Sequence, residues 1–522
     1  MARLVEGLLV AGASNLHLLL STAVVITYHL FTVTYNLFFH PLRHFPGPLL
    51  QRASALPWAI EHALGKTAFS TQKLHDRYGP VVRIAPGHLS FTDPGAWRDI
   101  YGPLPASSRS SNSNWPPELP KSRVFSAATD DQADSIHSAE FHEHALLRRA
   151  LSQGFSDASL RQQEPVLRRY VDLLLRRMHE RCEEASRGSG KEGVLLDMEK
   201  WYNWATFDII GDLVFGQAFG CLEKGEYHPW IAFIIGTLKA AATFSSVVYL
   251  GGRWLVRLVF RTVGQKSILM LRSMTDDMVS KRLAMEKGRD DLFEGLVKYR
   301  EEWNLSFEML SANAFLLTLA GSETSATSLC GTTYLLLTNP EAMEKLTREV
   351  RTAFNSADEM TINAVSQLPY LTAVINESLR MYPPAASDLV RVTPPEGKQI
   401  AGRYVAGGSF VEIQPWSINH SSENWEEPWK FNPDRFLRGE EEARKAGNIL
   451  EASQPFSWGQ RNCLGRSLAF AEMRMILARI VYDFDMKPGP DCHDWIGRQR
   501  TFPLWNRLPL NVYFTPAEAD YN

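Results

Sequence analysis

Cys463 is the residue of this chain best placed to do chemistry. It sits in the loop Phe456-Ser457-Trp458-Gly459-Gln460-Arg461-Asn462-Cys463-Leu464-Gly465, directly before an apolar run, Leu464 to Tyr482, that reads as a helix. Gly459 and Gly465 allow the backbone to turn tightly and to approach a flat ligand. A thiolate held by backbone donors near a helix N-terminus has a lowered pKa and can ligate a metal as the anion. A lone cysteine is usually a small buried core residue. The surrounding Phe, Gly and Arg at set spacing argue against that here.

A second chemical pattern is Ala320-Gly321-Ser322-Glu323-Thr324, in the middle of a long helical run from Ser306 to Asn339. Ala and Gly would bring helix backbone close to a flat ligand. Glu323 followed by Thr324 sets a proton source beside a hydroxyl, as general acid catalysis requires. A third is Glu377-Ser378-Leu379-Arg380, whose acid and base share a helix face at i, i+3. Tyr382-Pro383-Pro384 ends that helix just beyond.

Together these segments resemble the cytochrome P-450 haem-thiolate monooxygenases. The resemblance makes Cys463 the axial iron ligand, in a loop where Phe456, Arg461 and Gly465 also match. A thiolate ligand pushes electron density onto iron and favours O–O cleavage. The resemblance also makes Glu323 and Thr324 the groups that manage protons. Glu377 and Arg380 match a buried pair that is joined by an arginine from a later segment. Phe431-Asn432-Pro433-Asp434-Arg435-Phe436 supplies Arg435, with Asp434 where Glu is common. His144 and Arg148, at i, i+4, match a position where Trp-x-x-x-Arg often binds haem propionates. Arg391 and Arg461 match further propionate arginines.

The elements that must hold these residues follow from the rest of the chain. Its 522 residues are 45% hydrophobic and 22% charged, which is globular, and a net charge of -3 gives no reason to expect nucleic acid. Five scattered cysteines without a C-x-x-C pair argue against a disulfide framework or a zinc site. Val81–Ile84 and His88–Phe91 read as strands around Pro86-Gly87. Pro103 to Asp134 reads as a long loop, and most of Glu140 to Phe354 as helix. Pro165 to Glu184 is amphipathic, its arginines forming a solvated face. Thr501 to Phe514 reads as strand and turn. The fold expected is mainly α with small β-sheets, the cytochrome P-450 fold.

From Gly7 to Leu42 the sequence has no Lys, Arg, Asp or Glu, and Leu16–Phe39 is long and apolar enough to cross a bilayer. Pro46-Gly47-Pro48 breaks the chain beyond it, and the phrase Phe39 to Pro48 resembles the hinge of anchored fungal members of the family. Residues 1–45 are therefore expected to be a single transmembrane helix and hinge, and 46–522 the haem-binding domain. The resemblance implies residence in the endoplasmic reticulum membrane with the domain in the cytosol. It implies haem b, and NADPH used indirectly through NADPH–cytochrome P-450 reductase, with room for cytochrome b5.

The expected reaction is hydroxylation or epoxidation of an apolar small molecule in fungal secondary metabolism, of terpenoid or polyketide type. The alternative is a haem-thiolate isomerase or dehydratase working without reductase; the Glu323-Thr324 pair argues against it. By the family's layout, the substrate cavity is expected between Ser306–Asn339, the Pro103–Asp134 loop, Ala385–Leu389 and Phe502–Leu504. Phe315, Ala320, Ala385, Ala386 and Phe502 would line it.

Overall fold

The computed structural model describes residues 20–104, 116–126, 133–187, 193–259, 262, 265–285, 288–387 and 389–517. Seven helices carry the functional argument: α1 (Leu20–Phe39), α2 (Phe141–Ser152), α3 (Asp157–Ser186), α4 (Met198–Phe215), α5 (Phe307–Leu337), α6 (Pro369–Met381) and α7 (Arg466–Asp483). The strands are short: β1 (Val81–Ala85), β2 (His88–Phe91), β3 (Val194–Asp197), β4 (Arg391–Val392), β5 (Lys398–Ile400), β6 (Arg403–Val405), β7 (Phe410–Ile413), β8 (Phe484–Pro488), β9 (Arg500–Thr501), β10 (Trp505–Asn506) and β11 (Asn511–Pro516). One sheet has the order β1-β2-β7-β4, with β2 and β7 parallel and the other pairs antiparallel. A second is β3-β11-β8, and β5-β6 and β9-β10 are two-stranded. The mainly helical fold with small sheets is the one the sequence led us to expect.

Helix α1 has a mean hydropathy of 1.3 and is almost wholly exposed. It is long and apolar enough to cross a membrane. It ends in a π-helical turn, Tyr35–Phe39, and Pro46 to Pro48 are non-helical, as their sequence requires. Residues 1–19, with the start of the uncharged stretch, lie outside the described residues.

Helix α5 is the axis of the molecule. Its N-cap Ser306 accepts the Met309 amide at 3.2 Å. Asn339-Pro340 closes it and starts the next helix. From Ser325 to Thr333 every residue is buried, because α4, α6 and α7 all pack on it. A helix buried on all sides must satisfy its own polar side chains. The hydroxyls of Thr318, Ser322, Thr327 and Thr332 do so by donating to carbonyls four residues back, at 2.6–2.8 Å.

Helix α3 starts eight residues before Pro165, capped by Ser156, so that proline lies inside it. Its apolar face, Leu167, Tyr170, Val171, Leu174 and Met178, is buried. Four of its arginines are answered locally: Arg168 by Asp358, Arg169 by Asp212, Arg177 by Glu180 and Arg181 by Glu184.

Glu377, Arg380 and Arg435 meet in the core with essentially no exposure. Arg380 grips Glu377 with two hydrogen bonds, at 2.7 and 2.8 Å. Arg435 donates to the same carboxylate at 3.3 Å, and the Asn432 amide at 2.9 Å. The other end of Arg380 donates to the carbonyls of Asn419 and Pro428. This network clamps α6 to the coil that leads towards the cysteine loop. Removing one member strands a buried charge, which costs about 3–5 kcal/mol. That is a large share of a typical stability of about 5–15 kcal/mol. Glu377→Ala and Arg380→Ala are expected to give little folded protein, read as soluble yield and thermal midpoint. A folded Glu377→Ala variant that differs only in turnover would place the network in the reaction instead.

Candidate functional site

A cavity of about 290 Å³ lies between α5, the cysteine loop, the start of α7 and the N-terminal part of α2. Ile210, Leu316, Leu317, Ala320, Gly321, Pro384 and Ala385 make one apolar wall. Cys463 and Phe456 face it from the loop.

The loop is built by local bonds. The Cys463 amide donates to the Phe456 carbonyl at 2.8 Å, and Asn462 closes a turn on Gly459 at 3.1 Å. Gly459 has φ +78°, and a Cβ there would lie 2.0 Å from the Tyr101 carbonyl oxygen. Glycine is therefore obligatory at 459. Gly465 is different. Its φ is ordinary, and a Cβ would make normal contacts with Phe155 and the Cys463 sulfur. The sequence expectation that both glycines serve backbone turning holds at 459 alone. Gly321 lines the cavity, and its missing side chain also makes room for Ile210 of α4, which a Cβ would meet at 2.6 Å.

Cys463 opens onto the cavity; the other four cysteines are buried elsewhere. The expected lowering of its pKa is not met in the protein alone. Desolvation raises it, and the Gly465 amide and the Arg148 charge offset only part of that.

One edge of the cavity is crowded with cations. Arg461 donates to Glu118 at 2.7 Å and to the Ala139 carbonyl at 2.8 Å. Arg148 holds Asn462 through its carbonyl, at 2.8 Å, and its side-chain oxygen. Lys121 bonds the carbonyl and ring of His137. His144 lines the cavity between them, and its pKa is pushed down to about 3 by burial and by Arg461, Lys121, Arg148 and Arg391. Lys121 is pushed well below its usual range by burial, Arg391 and Arg461. Arg391 stands behind the edge rather than on it, against the Leu119 carbonyl and the Tyr101 ring; burial lowers its pKa to about 10. Among the described residues, Glu118 is the one carboxylate paired with this group. Such an uncompensated set favours an anionic ligand with more than one acceptor.

Six expected residues, Cys463, Phe456, Arg461, Gly465, His144 and Arg148, thus share one cavity with Thr324. Sequence reasoning missed Lys121, His137 and Glu118. Lys121 and Glu118 lie in the stretch read only as a long loop, where no motif singled them out.

The acid and hydroxyl of α5 diverge. Thr324 faces the cavity and donates to the Ala320 carbonyl at 2.5 Å. Glu323 does not line it. Its carboxylate is buried and held by Arg507 at 3.0 Å, and the same guanidinium reaches Glu199 and Asn203. Adjacent helix positions point about 100° apart, so the two side chains meet different neighbours. The expected substrate wall also changes. Ala320 and Ala385 line the cavity, whereas Phe315 packs on Trp230 and Phe502 lies in the core away from it.

Residues 46–500 match the family model described as Cytochrome P450. The chain is 41% identical to "Cytochrome P450 monooxygenase tpeC" of Talaromyces stipitatus, over 96% of this chain and 95% of that protein. It is 38% identical to "Averantin hydroxylase" of Dothistroma septosporum, over 95% and 91%. It is 37% identical to "Cytochrome P450 monooxygenase lcsI" of Purpureocillium lilacinum, over 95% and 93%.

The two loop glycines give contrasting expectations. Gly459→Ala must adopt a left-handed backbone, at about 1–2 kcal/mol, and must also displace a backbone carbonyl. Gly465→Ala needs neither. Purified Gly459→Ala is expected to lose most of its bound haem, and Gly465→Ala to keep most of it. Equal haem content in the two would refute the loop analysis.

Proposed function

The chain belongs to the cytochrome P450 family and is a P450 monooxygenase, and on that premise we propose that it inserts one oxygen atom from O2 into an apolar small molecule, by hydroxylation or epoxidation, in fungal secondary metabolism. The single observation that carries this reading is the Cys463 thiol opening onto a cavity opposite Thr324. The name of the relative averantin hydroxylase supports hydroxylation as the reaction type. A terpenoid or polyketide fits the mostly apolar wall.

The family implies haem, and the residues present suit it. Cys463 would be the axial ligand. Arg148, Arg461, Lys121 and neutral His144 would donate to its two carboxylates, and the uncompensated positive charge at that edge is what such an anion relieves. Bound haem supplies O2 activation, with electrons delivered by NADPH–cytochrome P-450 reductase and, as a second donor, cytochrome b5. The protein's own part is to position and to protect. Leu316, Leu317, Ala320 and Ala385 exclude water around the substrate. Thr324 holds a hydroxyl at the cavity wall, where it can pass a proton. Glu323 is held by Arg507 away from the cavity and anchors that part of α5 to the segment carrying Arg507.

The proposed location is the endoplasmic reticulum membrane, with α1 as a single-pass anchor for residues 1–45 and the domain 46–522 in the cytosol. Apolar surface continues past the hinge at Leu49, Leu50, Leu56, Ile60 and Leu64, all exposed. An apolar patch beside an apolar helix suits a lipid surface.

Reduced protein with carbon monoxide is expected to show the red-shifted Soret band of thiolate ligation, and Cys463→Ala to lose it; retention of the band in Cys463→Ala overturns the ligand assignment. In Thr324→Ala, substrate should still perturb the haem spectrum while more NADPH ends as peroxide than as product. Unchanged coupling there would remove Thr324 from proton transfer, and turnover without reductase would favour the isomerase reading. In sealed microsomes, protease should digest the large domain and leave the anchor in the membrane pellet. A protected domain, or a mature chain starting beyond residue 40, contradicts the proposed topology.

A further inference from the structure

Arg461 and Lys121 line both the cavity of Cys463 and an outer groove of about 810 Å³, whose walls also include Glu118, Glu140 and Glu143. They form the partition between the two spaces. Arg461 is held there by two bonds: Nε donates to the Glu118 carboxylate at 2.7 Å and Nη1 to the Ala139 carbonyl at 2.8 Å. Nη2 has no protein partner among the described residues, so it is the nitrogen left for a ligand. The side chains of Arg461 and Glu118 are only 5% and 6% exposed. Glu118 lines the groove and not the cavity, so it makes contact with a ligand beside Cys463 only through Arg461.

The backbone on either side fixes Glu118 in place. The Pro117 carbonyl accepts the Leu104 amide at 2.8 Å, the Pro120 carbonyl accepts the Val392 amide at 3.0 Å, and the Ser122 amide donates to the Val390 carbonyl at 3.2 Å. Lys121 and Arg391 form an antiparallel bridge. The segment is thus stitched to β4 and its approach. A carboxylate so fixed orients a guanidinium more narrowly than one on a mobile segment. A second ion pair in the groove lacks this setting. Arg123 and Glu140 meet at 2.6 Å, but their side chains are 58% and 75% exposed, and solvent screens them.

We propose that Glu118 is the positioning residue for Arg461, and that their ion pair lowers the reduction potential of the haem that Arg461 would hold by a carboxylate. The inference rests on the haem reading of the cavity and extends it to a residue outside the cavity. Two physical grounds support it. With Glu118 and Ala139 fixing the guanidinium plane, the free nitrogen loses less freedom on meeting a carboxylate. The nearly buried Glu118 is also a negative charge in a weakly screened place. When ferric iron becomes ferrous, one electron arrives from the reductase, and a fixed negative charge nearby disfavours its arrival. No bond or proton at Glu118 changes in that step.

The test uses full-length, haem-loaded protein as wild type, Glu118→Gln, Glu118→Asp, Glu140→Gln, Arg461→Lys and the double variant Glu118→Gln with Arg461→Lys. Midpoint potentials are read by spectroelectrochemical titration, and haem loss by transfer to apomyoglobin. Glu118→Gln should shift the potential upward and speed haem transfer about tenfold or more, the scale seen when a group that orients a ligand-binding side chain is removed. Glu118→Asp should recover part of both. Glu140→Gln removes the same charge from the exposed rim and should change neither. In the Arg461→Lys background, Glu118→Gln should add little to the transfer rate, because that effect runs through Arg461. A haem-loaded Glu118→Gln with the wild-type potential or transfer rate overturns the proposal. So does a shift in Glu140→Gln as large as that in Glu118→Gln, or full additivity of the two substitutions on haem transfer. If Glu118→Gln gives no loaded protein, a Glu118→Asp variant unchanged in both readings overturns it instead. A wild type without the carbon monoxide band of thiolate ligation defeats the haem reading and this proposal together. A wild type with that band but insensitive to Glu118 defeats this proposal alone.

Discussion

The buried Glu377 carboxylate, shared between Arg380 and Arg435, is the interaction on which the rest of this structure depends. It is fully buried, and every oxygen must find a protein donor or the charge cannot be there at all. Two arginines and the Asn432 amide meet that demand. Since these donors come from α6 and from the coil before the cysteine loop, satisfying one charge fixes the path of the chain between them. A hydrophobic replacement of similar volume could be as stable, yet would not specify direction. The position of Cys463 inherits its accuracy from this clamp and from the left-handed turn at Gly459, two residues after Ser457, which is also left-handed.

The cation-rich edge of the cavity works in the opposite sense. There the charges are left underpaired. Glu118 answers Arg461, and the rest lower one another's proton affinity through repulsion and desolvation. The folded chain thus carries an electrostatic cost at one place, which a ligand with two carboxylates, as proposed for haem, would offset. Binding and folding are then linked: a group that binds only the folded state stabilises it by mass action.

Helix α5 shows how polar residues can be carried through a core. Most of its hydroxyls close on their own backbone, so the helix can be buried on all sides. The exceptions are the informative positions. Ser311 and Thr333 leave the helix for Asp276 and Tyr202, Glu323 for Arg507, and Ser325 for Glu472. These links tie α5 to different parts of the chain.

Much of the fold was legible in the sequence because its signals are local. Ser306 and Asn339-Pro340 bound α5, Pro86-Gly87 turns β1 into β2, and the i, i+3 spacing of Glu377 and Arg380 places both on one face. The family resemblance added the roles of Cys463, Arg461 and Arg435. What the sequence could not settle was orientation. Glu323 and Thr324 are neighbours in the chain, but only packing against α4, α7 and the segment carrying Arg507 sends one into an ion pair and the other to the cavity. Lys121 and Glu118 had no periodic or motif signal, since a loop residue acquires its environment from segments hundreds of positions away. Phe502 looked like substrate wall and is core. Glu472 looked like one more residue of an apolar helix. Its meeting with Ser325, across 147 positions of sequence, exists only in three dimensions. A sequence states which groups a chain owns and which local turns they favour. Burial and partner choice, which set charge and direction, are properties of the packed whole.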